Sequence, residues 1–332
     1  MQISQTMGLF MVLFTTFLWG SWSQFVKKLS KWPVAAFMLW LFTSGFVLLS
    51  AALLILRNVL LPDNVLDLMA ALPGKCLLVL ICGITYAIGM QINMTVVHKA
   101  GLIFSTSIMS MLTIPVGCAV SSIFGGIPEN VSVLQIILGV ILLVMATLLC
   151  QKSTRMRDRD NGVEIAEEET KARLKYMLML VACAVVFSPT YTVALSIGTT
   201  PVGDLMLPPA LLVWILTGGA LIGTAIVSGV ILLKNHQLAA LLAVRENFQY
   251  VRYALLAGVF HCGGNLIHTI ASPVVSVAIA WPLGYLSNIW QYFWGVIRGE
   301  FKGAKKRTWI TLVLGVLCFI LALITLASAL YW

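Results

Sequence analysis

Long apolar runs alternate with short polar punctuation along this chain, and the runs have the length that a bilayer demands. About 20 apolar residues in a helix cross a hydrocarbon core. That criterion predicts ten helices, at residues 5–26, 34–56, 76–98, 101–125, 131–150, 176–196, 208–233, 253–271, 274–297 and 308–331. The connections at Lys99-Ala100 and Ser272-Pro273 are so short that the helices flanking them must be antiparallel neighbours. One stretch breaks the pattern. Gln151–Lys175 holds 13 of the chain's charged residues, against totals of 21 Lys+Arg and 12 Asp+Glu. It separates two apolar halves, so the expected organisation is a five-helix unit at 1–151, a charged linker at 152–175 and a second five-helix unit at 176–332.

The basic residues fall on one side of this pattern. With the connections assigned alternately to two faces, one face collects Lys27, Lys28, Lys31, Lys99, the seven basic residues of the linker, Lys234, Arg245, Arg252, Arg298, Lys302, Lys305, Lys306 and Arg307. The other face has only Arg57 and Lys75. Removing any one helix scrambles this split. By the positive-inside rule the basic face is cytoplasmic. The expectation is a multi-pass protein of the cell membrane with both termini on the outer side.

Composition changes the picture only in what it excludes. The chain is 60% hydrophobic and 10% charged, with a mean hydropathy of +0.98, whereas soluble domains carry about 25% charge. The solvent for most of its surface is therefore lipid. The net charge of +9 is explained by orientation in the bilayer and does not call for nucleic acid. No Lys or Arg precedes the first apolar run, which begins at Met7; without a basic n-region it reads as a retained helix and not as a signal peptide. The seven cysteines show no metal-ligand spacing and read as small buried hydrophobes. No cofactor motif is present. Leu238–Arg252 reads as a short surface helix on the basic face.

The two halves resemble each other. Gly83-Ile-Thr-Tyr86-Ala-Ile-Gly89 matches Gly258-Val-Phe-His261-Cys-Gly-Gly264 as Gly-x-x-aromatic-x-x-Gly, at an offset near 175. Leu138-Gly139-Val140 matches Leu314-Gly315-Val316 at almost the same offset, and Pro115-x-Gly117 has a counterpart in Pro282-x-Gly284. Two such pairs on either side of a charged linker predict a five-plus-five duplication. Five is odd, so the halves must cross the membrane in opposite directions, as the inverted repeats of transporters do. The expected fold class is all-α and polytopic, with ten transmembrane helices in two inverted five-helix repeats.

Polar groups within hydrocarbon are expensive and usually face a cavity. Tyr86, Gly89 and Asn93 form one helical stripe, as do His261, Asn265 and His268. Trp281, Tyr285, Asn288 and Tyr292 form a third, which leaves Ser287 off it. Trp19 and Ser23 end the first span, Gln91 sits in the third, and Tyr191 follows a predicted helix break at Ser188-Pro189. The fourth span carries Ser105, Thr106, Ser110 and Thr113, with Pro115 as a kink. The candidate substrate-binding set is thus Trp19, Ser23, Tyr86, Gln91, Asn93, Tyr191, His261, Asn265, Trp281, Tyr285, Asn288 and Tyr292. These residue types also serve as interfacial belts and interhelical glue. As a set they offer uncharged hydrogen bonds and flat rings, which suits a small neutral polar molecule such as a sugar or an amide-like solute. No Asp or Glu lies within a predicted span, so His261 and His268 are the candidates for coupling to H+. An integral membrane enzyme would need clustered His, Asp and Glu. His98, His236, His261 and His268 do not cluster with carboxylates, and no enzyme is expected.

Two further runs carry a family resemblance. Tyr86-Ala-Ile-Gly89-Met-Gln-Ile-Asn93 resembles the third-span run of the L-rhamnose–proton symporter family. Phe293-Trp294-Gly295-Val-Ile-Arg-Gly299-Glu300, followed by a basic loop and Leu314-Gly315-Val316, is similar to the junction of the ninth and tenth spans in ureide permeases and glucose/ribose porters. With the span count, the repeat and the linker, the chain resembles the ten-span sugar-uptake branch of the drug/metabolite transporter superfamily. The resemblance implies a secondary transporter working by alternating access, with monosaccharide uptake first, a ureide or purine-type metabolite as the alternative, and export of drugs or metabolites as a third possibility.

Overall fold

The computed structural model describes residues 3–29, 32–100, 102–127, 129, 131–162 and 167–331, without the side chains of 100, 102–104, 106, 107 and 167–173. Lys31, Gly101, the Thr106 side chain and linker residues 163–166 thus lie outside the described residues. Among the described residues nine helices are long and apolar enough to cross a membrane. The protein is an all-α polytopic membrane protein.

In chain order the helices are α1 (Gln5–Trp22), which continues as a 3-10 turn over Ser23–Lys28, α2 (Val34–Ile55), the short α3 (Arg57–Leu60) and α4 (Val65–Ala71), α5 (Pro73–Ala100), α6 (Leu102–Gly125) and α7 (Val133–Asp160). The second half has α8 (Glu167–Ala182), a π turn over Cys183–Phe187, α9 (Pro189–Thr199), α10 (Pro209–Lys234), the short α11 (Leu238–Leu242), α12 (Phe248–Val275), α13 (Val277–Gly284), α14 (Ser287–Ile297) and α15 (Lys306–Ser328).

Several departures from the sequence expectation have local causes. The run predicted as one helix over 274–297 is two, α13 and α14. Pro282 takes one amide out of the ladder, and the amides of Tyr285 and Leu286 bond three residues back, to Pro282 and Leu283. The predicted turn at Ser272-Pro273 is helical. α12 runs through Pro273 to Val275, and the chain turns at Ser276, whose φ is +66°. At the expected break in the sixth run the backbone widens. The Ser188 amide reaches back five residues to the Cys183 carbonyl at 2.8 Å, accommodating Pro189, which has no amide proton to give. The predicted surface helix at 238–252 shrinks to α11, because α12 already starts at Phe248. α7 continues ten residues past the predicted end because its charged last turns find partners. Asp160 accepts from the Thr308 hydroxyl at 2.6 Å and the Lys305 amide at 2.9 Å, and Arg157 reaches Glu300 at 3.4 Å.

Glycines set the closest helix contacts. α5 lies along α10 and α2 along α12; a Cβ on Gly83 would strike the Leu216 carbonyl, and one on Gly258 the Leu41 carbonyl. α7 lies along α15, with Gly139 under Leu326 and Gly315 under Cys150. Small residues at such crossings let backbones approach where lipid supplies no hydrophobic drive. α1 packs on α12, α13 and α14, α9 on α5 and α6, and α6 on α13. The outer sides of α7 and α15 are greasy stripes, including Leu134, Ile137 and Ile141 on one and Leu317, Leu321 and Ile324 on the other, all more than 40% exposed. Water would not tolerate such patches; hydrocarbon does. At one face the ends of α1, α7 and α14 meet the start of α15. There Lys27 pairs with Glu300 at 2.6 Å, and the basic loops gather. At the opposite face the Lys75 ammonium donates to the Thr200 carbonyl.

Candidate functional site

A cavity of about 170 Å³ lies between α1, α5, α6, α9, α12 and the α13–α14 break. One water needs roughly 10–15 Å³ by the same measure, so the space fits a small solute. Ten of the twelve predicted residues line it: Trp19, Ser23, Tyr86, Asn93, Tyr191, His261, Asn265, Trp281, Tyr285 and Asn288. Among the described residues no Asp, Glu, Lys or Arg is in the lining.

Packing explains why these side chains point inward. The Trp19 indole is seated between Gly264 and Gly284, where an added Cβ would lie 2.7 Å from its ring. The Trp281 indole rests on Gly117, two residues after the Pro115 of α6. Only glycine at these points leaves room for the ring. Tyr86 and His261 face each other across the cavity wall, with the hydroxyl 3.0 Å from Nε2 and the rings 7° from parallel. Trp22 meets His261 edge-on, at 5.0 Å between ring centroids.

The hydrogen bonds fix what the cavity offers. The Trp19 Nε1–H donates to Asn265 Oδ1 at 3.0 Å. An indole can only donate, so the Asn265 carboxamide must turn its NH₂ to the cavity side. Asn93 Oδ1 accepts from the Ser105 hydroxyl at 3.0 Å, and Asn288 Nδ2 donates to Ser110 Oγ at 2.9 Å. Among the described residues His261 Nδ1 and Ser23 Oγ are buried without a protein partner. Leaving such groups unpaired costs about 1–3 kcal/mol each, which a bound polar solute with modest side-chain movement would recover.

Three predicted residues lie elsewhere. Gln91 turns toward α10, where its Oε1 accepts from Ser228 at 3.0 Å, and its Nε2 donates to Thr95, one turn further along α5, at 3.4 Å. Tyr292 is buried away from the cavity, whereas Ser287, which the stripe excluded, lines it. The tight turn at Tyr285–Leu286 restarts the helical register, so Ser287, Asn288 and Gln291 face inward in place of Tyr292. His268 is fully buried behind the wall. Its Nε2–H donates to the Ala280 carbonyl at 3.1 Å, and its Nδ1 lies 3.4 Å from the Tyr191 hydroxyl.

The sequence reading missed Met90, Met94, Met109 and Gln291, all in the lining. A search for polar stripes passes over thioethers, although Tyr86, Met90, Asn93 and Met94 share one face of α5 by spacing alone. Neither a protein-family model nor a curated protein sequence matches the chain.

Proposed function

We propose that the chain is a secondary carrier for a small neutral polar solute, built from ten membrane crossings in two inverted five-helix repeats. The observation that carries this reading is the cavity itself: uncharged hydrogen-bonding groups and aromatic rings, drawn from helices on both sides of the central linker, reaching from the middle of the spanning helices toward the basic face. An enzyme would need a reactive cluster there.

The repeat reading draws support from reciprocal contacts. Gly83 packs on Leu216 of α10, and the same offset carries the pair to Gly258 on Leu41 of α2. Tyr86 and His261 are 175 residues apart and bond to each other. Asn93 bonds to a residue twelve further on, Ser105, and His268 bonds to a residue twelve further on, Ala280. Gly139 under Leu326 repeats, at nearly the same offset, as Gly315 under Cys150. α7 and α15 run antiparallel, since Gln135 bonds Ser328 at 3.2 Å while Asp160 bonds Thr308 at 2.6 Å. Equivalent helices running in opposite directions fit a two-fold axis lying in the membrane plane. On this reading α13 and α14 together make the ninth crossing, the basic face is cytoplasmic in a cell membrane, and both termini are outside.

This arrangement accords with the resemblance to the sugar-uptake branch of the drug/metabolite transporter superfamily. A monosaccharide is the substrate we favour. Its hydroxyls would bond Asn93, Asn265, Asn288 and His261 while its ring lies against Trp281 and Tyr285. Among the described residues His261 is the one histidine in the lining and so the candidate for H+ coupling. Uptake of labelled monosaccharides and ureides into proteoliposomes, with and without a pH gradient, tests the proposal. We expect uptake of a sugar that His261→Ala or Asn265→Ala reduces at least tenfold without loss of membrane insertion. Undiminished uptake by both variants would remove the cavity from the transport path.

A further inference from the structure

We infer that Trp19, Tyr191, His268 and the Ala280–Trp281 segment of α13 form a gate that shuts the cavity on the face opposite the basic loops, with His268 as its pin. The inference rests on the carrier reading and deepens it.

Every lining element stops at the same level. Toward the face opposite the basic loops, the last residue to line the cavity is Trp19 on α1, Tyr86 on α5, Thr113 on α6, Tyr191 on α9, Asn265 on α12 and Trp281 on α13. One turn beyond, the molecule is solid: His268, Thr269, Ser272, Ala278 and Ala280 all have 0% exposure. Toward the basic face the lining continues through Asn93, Met109 and Gln291, which are partly exposed. The cavity thus belongs to the basic-face half, and a closure separates it from the other side.

His268 ties that closure together. Its ring centroid is 4.8 Å from that of Trp19 on α1, its Nδ1 is 3.4 Å from the Tyr191 hydroxyl on α9, and its Nε2–H donates to the Ala280 carbonyl on α13 at 3.1 Å. Tyr191 and Trp281 close the ring, at 5.8 Å between centroids. Four elements meet there, and a path through would have to part them. α13 is built to move. It is eight residues long, with a positive-φ residue, Ser276, at one end and the tightened Tyr285–Leu286 turn at the other. Swinging it breaks the His268–Ala280 bond without unwinding a long helix. Asn93, which stands to α5 as His268 stands to α12, makes the matching bond to Ser105 but lines the open cavity. The two positions read as equivalent gates, one shut and one released.

Thiol labelling tests this with no substrate required. Ser272→Cys places a thiol just beyond His268, and Met109→Cys places one on the basic-face side of the cavity. Each goes into the full chain with the half-buried Cys76 and Cys318 replaced by serine. A membrane-impermeant maleimide is then applied to vesicles of either orientation. Adding His268→Ala should raise labelling at 272 from the face opposite the basic loops at least tenfold and lower labelling at 109 from the basic face. His268→Gln, which keeps a donor for Ala280, should fall between that variant and the parent. Rates that rise together at both positions would mean general loosening, and unchanged rates would mean no gate; either result overturns the inference. Opposite shifts without sugar or ureide uptake would leave the gate standing while the substrate assignment fell.

Discussion

At the scale of single residues, the Trp19–Asn265 bond decides the polarity of the site. The indole N–H holds the carboxamide oxygen and leaves the NH₂ free to meet an acceptor in the cavity. Trp19→Phe keeps a ring between Gly264 and Gly284 but frees the carboxamide to flip. If the cavity binds the proposed solute, its binding should weaken about tenfold, with a stability loss of about 1 kcal/mol for one hydrogen bond, both readable from thermal unfolding with and without a monosaccharide. Equal shifts on adding the monosaccharide to the two proteins would show that the bond does not orient the site. A second case is Tyr86→Phe. It strips His261 Nε2 of its partner while Nδ1 already lacks one among the described residues, so the expected loss is larger, about 1–3 kcal/mol. The sequence made these residues legible because α5 and α12 are unbroken helices, in which a polar stripe keeps its register. On α12 the stripe outruns the cavity: His261 and Asn265 face it, while His268, one turn on, is already in the packed wall. Spacing tells which face a residue occupies but not the depth at which a cavity ends.

At the scale of elements, irregular geometry is what sequence periodicity could not supply. Over 274–297 the pattern suits one helix, and the turn between α13 and α14 shifts the face by enough to exchange Tyr292 for Ser287. A proline flags trouble without saying where the chain bends, and here one proline lies inside α12, one inside α13 and one just after a π turn. The bend after α12 falls on Ser276, a non-glycine residue at φ +66° and ψ 135°. Such a backbone costs about 1–3 kcal/mol for an L-residue, most for a β-branched one. Ser276→Gly should therefore unfold at or above the wild-type temperature despite glycine's greater unfolded-state entropy, and Ser276→Val should unfold below it by the equivalent of at least about 1 kcal/mol. Identical melting of the two variants would mean that the turn relaxes freely. The lever role given to α13 would then lose one of its hinges.

At the scale of the whole molecule, the proposed duplication has two halves making the same contacts in opposite directions. The charged linker and the Gly-x-x-aromatic-x-x-Gly runs hinted at this, but only packing reveals that each glycine of the pair meets its counterpart's neighbouring helix at the same place. Gly83 and Gly258 lie against backbone carbonyls, of Leu216 and Leu41, which cannot rotate out of the way as a side chain can. A methyl on either must push two helices apart, and overpacking of this kind costs about 1–3 kcal/mol. Gly83→Ala and Gly258→Ala should accordingly lower the unfolding temperature by similar amounts. Gly229→Ala, where an added Cβ meets no other described part of the chain within 4 Å beyond its own helix turn, should leave it unchanged or raise it, since alanine is the better helix former by about 1 kcal/mol. Equal losses at 83 and 258 are what a duplicated architecture demands, because neither half has a privileged interface. A protein that tolerated the change at one of the two sites and not at the other would have halves that resemble each other in outline while relying on different contacts. In that case the pairing of Asn93 with His268 as equivalent gates would lose its geometric basis.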